Sequence, residues 1–538
     1  MSTQTQIVGL GSSQAQPLAA KPVEKASTNA WIAVLAAMIG AFMAILNIQI
    51  TNASLLNIEG GIGTGVDNGA WISTSYLIGE IVVIPLTDYL SRVFSFRLYM
   101  LVNVVLFALF SAACAFAHDL GTMIALRGLQ GFAGGVLIPM AFTMVLTRLP
   151  KSQQPIGLAM FALSVTFAPA IGPTIGGYLT ENYGWQTIFF VNAPPSLLMF
   201  VALYFTLEKK PMQLSLLREG DWAGITTMAI GLAALQTVLE EGNKDDWFQS
   251  TFIVKLALIA GLFLTAFIVI ELTVKKPLVQ LRLLIQRNFG IGIVVNVLVG
   301  VALFGTVYIL PQYLGQVQRY NAEQIGLVLA WTGLPQLLII PFVPLLLKHF
   351  DVRFIAFVGI SIFATSAFMN VNLSLDNAGD QFFLPNIVRA IGQALVLTPI
   401  SVITTAGIAP SDAGAASGLS NMLRNLGGAV GTAALGTVLT KREQFHSNII
   451  GQSVTLFRDE VRDRIDHLTQ YFMAHGVTDA ALAQHKAIGV IGATVHRQAL
   501  ILGFGDTFAV IGTVLALAAV AVLLTRKIQA GNGGGGAH

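Results

Sequence analysis

TSYLIGEIVVIPLTDYLSRVFSFRLYMLVNVVLFALFSAACAFAHDLGTMIALRGLQGFAGGVLIPM, running from Thr74 to Met140, contains parts of three apolar runs separated first by a gap holding Arg92 and Arg97 and then by one holding Asp119. Each run has the roughly 20 residues that a helix needs to cross the hydrocarbon core of a bilayer. A basic gap followed by an acidic one is the pattern left by a chain that threads back and forth, because Lys and Arg are retained on one side. Two charges, Glu80 and Arg127, stand inside the runs, where each is costly unless something pairs or hydrates it.

Working outward, the same pattern repeats about fourteen times, with spans near 30–52, 71–91, 98–117, 120–147, 155–179, 186–207, 221–239, 252–274, 290–311, 323–347, 354–372, 382–407, 412–440 and 498–525. Composition agrees: 54% of the 538 residues are hydrophobic, 11% are charged, and the mean hydropathy is +0.72. Such a balance excludes a soluble protein of this size. Lys21 and Lys25, Arg92 and Arg97, Arg148 and Lys151, Lys209, Lys210 and Arg218, Lys275, Lys276, Arg282 and Arg287, Lys348 and Arg353, and Arg526 with Lys527 all fall on one side. The other short loops hold Glu59, Asp67, Asp119, Glu181, Asp376 and Asp380, with Lys244 and Arg319 nearly the only cations. This places both termini in the cytoplasm and makes the span count even. The turn after span 12, with Asp412 and no cation, is placed by parity alone.

The expected organisation is a flexible cytoplasmic tail over 1–28, a six-helix bundle over 29–210, two additional spans with linkers over 211–288, a second six-helix bundle over 289–528 with an external segment at 441–497, and a Gly-rich tail over 529–538. The first 28 residues lack the basic start and cleavage site of a secretory signal. No basic aromatic motif points to nucleic acid. Cys114 is the single cysteine, which excludes an internal disulfide.

Three stretches carry a family resemblance: RGLQGFAGGVLIP (Arg127 to Pro139), APAIGPTIGG (Ala168 to Gly177) and YGWQTIFFVNAPP (Tyr183 to Pro195). They resemble motifs of the major facilitator superfamily. The extra central spans around DWAGITTMAIGLAALQTVLEEG and the stretch ASGLSNMLRNLGGAVGTA are similar to the fourteen-helix drug:proton antiporters, nearest in pattern to the EmrB-type inner-membrane pumps. The resemblance implies an all-α integral membrane fold of two six-helix bundles plus two central helices, and proton-driven efflux of lipophilic or amphipathic drugs. It also implies a periplasmic adaptor of EmrA type and a TolC-like outer-membrane channel as partners, with no cofactor beyond the proton gradient. Pro169, Gly172, Pro173, Gly176 and Gly177 fall on the antiporter motif. The sequence departs from the family in span 1, where LNIQITNAS puts Asn47 at the usual Asp. It departs again after span 2, where the Gly, Asp and second Gly of GxxxDRxG fall on Asp88, Arg92 and Ser95.

Read as chemistry, Glu80 is the leading proton-coupling candidate, with Arg127 and Asp506. At 1.5 Å per residue, Glu80 lies roughly 15 Å and Arg127 roughly 12 Å from the external ends of their spans, so the two are expected to be able to meet. Burial and a nearby cation act on such a carboxylate in opposite directions, a balance suited to binding and releasing a proton. A structural Glu and a helix-stapling Arg are the competing readings. Asp506 is either a solvated helix-end residue or part of proton access or drug binding. Arg389 and Arg424 are the corresponding cations of the second half, Arg424 serving a gate or a staple.

Asn47, Gln49, Asn52, Gln130, Tyr308, Gln312, Trp331 and Gln336 are the expected lining of a substrate cavity near the bilayer midplane. Asp88, Arg92 and Arg97 form the expected cytoplasmic gate. Pro173 with Gly172 and Gly176 would bend span 5 and let it pack tightly against the other half, although small-residue packing is common in bilayers.

In the external segment, Val454, Phe457, Val461, Ile465, Leu468 and Phe472 recur at helical spacing. That amphipathic helix either rests on the membrane or docks an adaptor. His446, His467, His475, His485 and His496 lack metal-binding spacing, and no metal site is expected. No GxxxxGK[ST] phosphate loop is present, so an ion gradient is the expected energy source. A dedicated exporter of one metabolite, siderophore or fatty acid is the alternative within transport. An intramembrane enzyme or sensor is disfavoured, because the charged groups within the spans are sparse and scattered.

Overall fold

The structure is a computed structural model that describes residues 26–527 apart from 275–276 and 410–411. Most of the N-terminal tail, Lys275 and Lys276, and the Gly-rich C-terminal tail lie outside the described residues. Each of the fourteen expected spans is one helix or a short run of consecutive helices. Ten are long and apolar enough by themselves to cross a membrane. Span 5 is an eleventh, bent by 43° between Gln154–Pro169 and Ile171–Tyr183.

Spans 2, 11 and 13 complete the set for separate reasons. Span 2 (Trp71–Val93) carries Glu80, Asp88 and Arg92, and span 11 (Val352–Phe368) has only 17 residues. Span 13 (Ala413–Ser453) is rich in small and polar residues. Span 1 is Thr28–Ala53, span 3 is Phe96–Cys114, and span 4 is Leu120–Gly135 continued by Leu137–Arg148. Span 6 ends in Ala193–Thr206, and spans 7 and 8, the additional pair, are Trp222–Glu241 and Thr251–Thr273. Span 9 is Arg287–Gln316, span 10 begins with Ala322–Ile339, span 12 is Phe383–Ala394 continued by Leu397–Thr405, and span 14 is Ala480–Leu523.

Glycines explain the tightest packing. A Cβ on Gly131 would strike the carbonyl of Tyr76, and one on Gly135 would sit 2.9 Å from Cα of Glu80. Only Gly at these positions lets span 4 lie against span 2, which is why RGLQGFAGG reads as it does. Spans 7 and 8 pack on each other, and span 7 also touches spans 2 and 13.

One end of the bundle gathers the cations and the ends of the described chain. Arg97, Arg148 and Lys209 line one recess there with Ser27. Arg353 donates to the Thr525 carbonyl at 3.0 Å, and Arg287 to that of Leu524 at 2.9 Å. Asp412 accepts from Gln280 at 3.4 Å at this end, where parity had placed it.

The external segment differs from expectation. Span 13 runs on to Ser453 and span 14 starts at Ala480, with a separate helix at Asp459–Ala474 between them. Helices of 41 and 44 residues exceed the roughly 20 needed to cross the core, so each overhangs it by about 30 Å. Hydropathy ends the expected spans at 440 and 498, but the polar sequence beyond them is rich in good helix formers and free of proline, so the helices continue. Val454 and Phe457 precede the Asp459–Ala474 helix, and Phe457 is 92% exposed.

Candidate functional site: a carboxylate where the two halves meet

Glu80 sits mid-helix in span 2 and is 4% exposed. Its Oε1 accepts a hydrogen bond of 3.2 Å from Asn425 Nδ2 of span 13, and its Oε2 is buried without a partner. Arg424, the residue before Asn425, is within electrostatic reach of this carboxylate, as is Arg127. Arg424 in turn donates to Asn421 Oδ1 at 2.8 Å, Asn421 to the Ser417 carbonyl at 2.9 Å, and Ser417 Oγ to the Pro139 carbonyl of span 4 at 3.3 Å. A polar stripe of span 13 therefore lies along spans 2 and 4, with Glu80 facing it from the other half.

Arg127 is elsewhere. Fully buried, it donates from Nε to the Ile72 carbonyl at 3.2 Å, and from Nη1 to Gln130 Oε1 at 2.7 Å and to Asn47 Oδ1. Its Cζ lies 4.4 Å from the centroid of the Tyr76 ring. Among the described residues no hydrogen bond or ion pair joins it to Glu80. Similar depth did not bring the two together, because Arg127 projects to span 1 whereas Glu80 projects to span 13. Asn47, at the position of the family's acid, is a neutral acceptor for a buried guanidinium.

The other expected cavity residues divide. Gln49 and Asn52 stay on span 1: Gln49 packs against Gly172 of span 5, and Asn52 accepts from Ser73. Tyr308 of span 9 lies near Gln312 and Glu240. Gln336 of span 10 donates to Gln393 Oε1 of span 12 at 3.0 Å. Trp331 is 41% exposed on an outward apolar stripe with Leu327, Leu334 and Leu338, its ring 4.7 Å from that of Phe383. This orientation separates Trp331 from the buried amides.

Asp88 and Arg92 form an ion pair of 2.6 Å, and the Asp88 carboxylate abuts Gly414 at the start of span 13. Arg97 stays within the first half, donating to the Tyr204 carbonyl at 2.7 Å over that residue's ring. The antiporter glycines also act within one half. Gly172 and Gly176 bring span 5 against Gln49 and Ile50 of span 1, and Thr174 between them meets Gly326 of span 10, across the halves. Pro169 and Pro173 lie inside the span 5 helix and Gly177 is buried. Asp506 accepts from Arg442 Nε at 2.6 Å and is 2.7 Å from His446 Nε2, which ties span 14 to span 13 in an ion-paired cluster.

Sequence reading passed over two sets of residues. Ser417, Asn421 and Asn425 recur at helical spacing beside Arg424, which the sequence reading takes alone as a gate or staple, and together they mark one polar face of span 13. Glu240 and Glu241 end span 7 and look like solvated helix-end charges. In the structure Glu241 is buried and accepts from Thr74 at 2.9 Å, and Glu240 accepts from Gln236 at 3.0 Å. Among the described residues no group of three or more His, Cys, Asp or Glu side chains is placed to hold a metal ion.

Two helical bundles meeting along a buried polar seam are an architecture suited to a membrane transporter. The Major Facilitator Superfamily pattern matches residues 37–432, and the chain belongs to that superfamily. It is similar to the Colistin resistance protein EmrB of Acinetobacter baumannii, 34% identical over 90% of this chain and 94% of that one. It is similar also to the Multidrug export protein EmrB of Escherichia coli K12, 31% identical over 96% of this chain and 99% of that one. The Fatty acid resistance protein FarB of Neisseria gonorrhoeae is 28% identical over 96% of this chain and 99% of its own. Among solved structures, the proton:xylose symporter XylE superposes with a TM-score of 0.57 at 13% identity, covering 92% of this chain and 95% of that one, a likeness of fold.

Proposed function

We propose that this protein exports lipophilic or amphipathic drugs across the bacterial inner membrane in exchange for protons, with Glu80 as the coupling group. The observation that carries the reading is the Glu80 carboxylate, buried where the halves meet, bound to Asn425 and within electrostatic reach of Arg424. When ionised it attracts the cation of the opposite half and favours the joined arrangement. Protonation removes that attraction, so the seam parts more readily. A proton gradient supplies the direction, and a membrane potential contributes about 2.3 kcal/mol per charge per 100 mV.

The cation-rich end is the cytoplasmic one on charge grounds, and both ends of the described chain lie there. The overhanging helices of 441–497 then extend into the periplasm, where they form the surface for an adaptor of a tripartite pump with an outer-membrane channel. Similarity to FarB supports a second reading, a dedicated exporter of fatty acids. A susceptibility panel in a strain lacking its own pumps separates the two, since broad protection favours multidrug export and protection against one compound favours the dedicated exporter.

Proteoliposomes test the coupling directly. Glu80→Gln is expected to bind substrate and exchange it passively while losing accumulation driven by a pH gradient. Gradient-driven transport at the wild-type rate by Glu80→Gln would rule this residue out.

A further inference from the structure

Among the described residues three arginines are buried inside the spans, and two of them have partners. Arg127 is held by Asn47, Gln130, a carbonyl and an aromatic face. Arg424 has Asn421 and the field of Glu80. Arg389 of span 12 is 5% exposed, and among the described residues its guanidinium makes no hydrogen bond and no ion pair; its Nε is sealed from solvent and unpartnered.

Its neighbourhood is also incompletely satisfied. Gln393 lies one helical turn further on, on the same side as Arg389, and its Oε1 is taken by Gln336 whereas its Nε2 has no partner. Gln336 Oε1 is likewise buried and unbonded. Asn386, one turn earlier, donates to the Val328 carbonyl and so fixes this side of span 12 against span 10. A buried cation beside open amide groups is unfavourable unless an anion completes it.

We propose that Arg389, assisted by Gln393, is the anchor for the acidic group of an amphipathic substrate, a lipophilic carboxylate being the chemistry that fits. The planar guanidinium offers two parallel N–H donors to the two carboxylate oxygens, and Gln393 Nε2 supplies another. The apolar remainder of the substrate lies against the hydrophobic side chains around the amide pair. Among the described residues no carboxylate competes for the site. The assignment rests on the export reading above and narrows it to a preferred class.

The test uses full-length protein in proteoliposomes with three probes: dodecanoate, its neutral amide dodecanamide, and the lipophilic cation tetraphenylphosphonium. Wild type is expected to half-saturate at about tenfold lower concentration with the acid than with the amide. Arg389→Gln is expected to erase that preference and Arg389→Lys to restore part of it, because Lys keeps the charge but lacks the fork. Gln393→Leu is expected to weaken the acid several-fold relative to the cation. Thermal stabilisation of the purified variants by dodecanoate reads binding apart from transport.

Equal handling of acid and amide by wild type, with the cation exported, would overturn the anchor while leaving export intact. An undiminished acid preference in Arg389→Gln would overturn it too, leaving Arg389 as a hydrated residue without a ligand. Failure of wild type to move any probe would count against the export reading itself and remove the basis of this one.

Discussion

Intramembrane charges can be read from a sequence because each is expensive, but their partners cannot, because a partner depends on which face of which helix it meets. Glu80 and Arg127 were both legible at similar depth, yet they serve different contacts: Arg127 ties spans 1, 2 and 4 together within one half, and Glu80 meets Asn425 across the halves. The Arg127 contacts give a test of the stapling role. Arg127→Met leaves Asn47, Gln130 and the Ile72 carbonyl without their donor, and removal of one side of such a buried network costs about 3 kcal/mol. Adding Asn47→Leu removes an acceptor as well, so the double variant is expected to be more stable than the sum of the single losses predicts, by about 1 kcal/mol. Unfolding of the purified proteins measures this, and strictly additive losses would show that the Arg127–Asn47 contact does not hold the half together.

At the scale of elements, apolar length gave the spans inside the membrane and failed outside it. The helices of spans 13 and 14 continue because nothing in their polar extensions stops them, while hydropathy reports only where lipid ends. The Asp479 side chain accepts from the Ala481 amide and so sets the true start of span 14, well before residue 498. A local rule breaks visibly between spans 2 and 3. Ser95 has φ of +67° and ψ of 142°, a conformation that a Cβ disfavours, and it occupies the second glycine position of the GxxxDRxG pattern. The chain has kept the turn and lost the residue suited to it. Ser95→Gly is therefore expected to raise stability by about 1 kcal/mol, seen as a higher melting temperature in detergent, with transport unchanged. A lower melting temperature would mean that the Ser95 side chain contributes more than its backbone strain costs.

Across the whole molecule, the halves touch at both ends and in the middle. Thr174 meets Gly326 at the end opposite the cations, Glu80 meets Asn425 within the seam, and Asp88 abuts Gly414 at the cation-rich end. Pairings of this kind were not legible in the sequence, because the partners lie in different halves and only the assembled bundle brings them together. In the proposed transport cycle the end contacts open in turn, and the one at Asp88 can be held shut by chemistry. A Cβ on Gly414 would lie 3.6 Å from Cβ of Asp88, inside the roughly 3.5–4.5 Å range that a disulfide requires. Cys114 is the one native thiol and is buried, so Cys114→Ser with Asp88→Cys and Gly414→Cys gives a protein whose only disulfide is the one across the halves. Oxidation is expected to stop transport in proteoliposomes and reduction to restore it, while probes of the opposite face still react in the oxidised form. The reduced protein carries the same loss of Asp88 and is thus its own control for the missing charge. Equal transport before and after verified oxidation would mean that the Asp88–Gly414 contact stays closed throughout the cycle and that the path runs elsewhere.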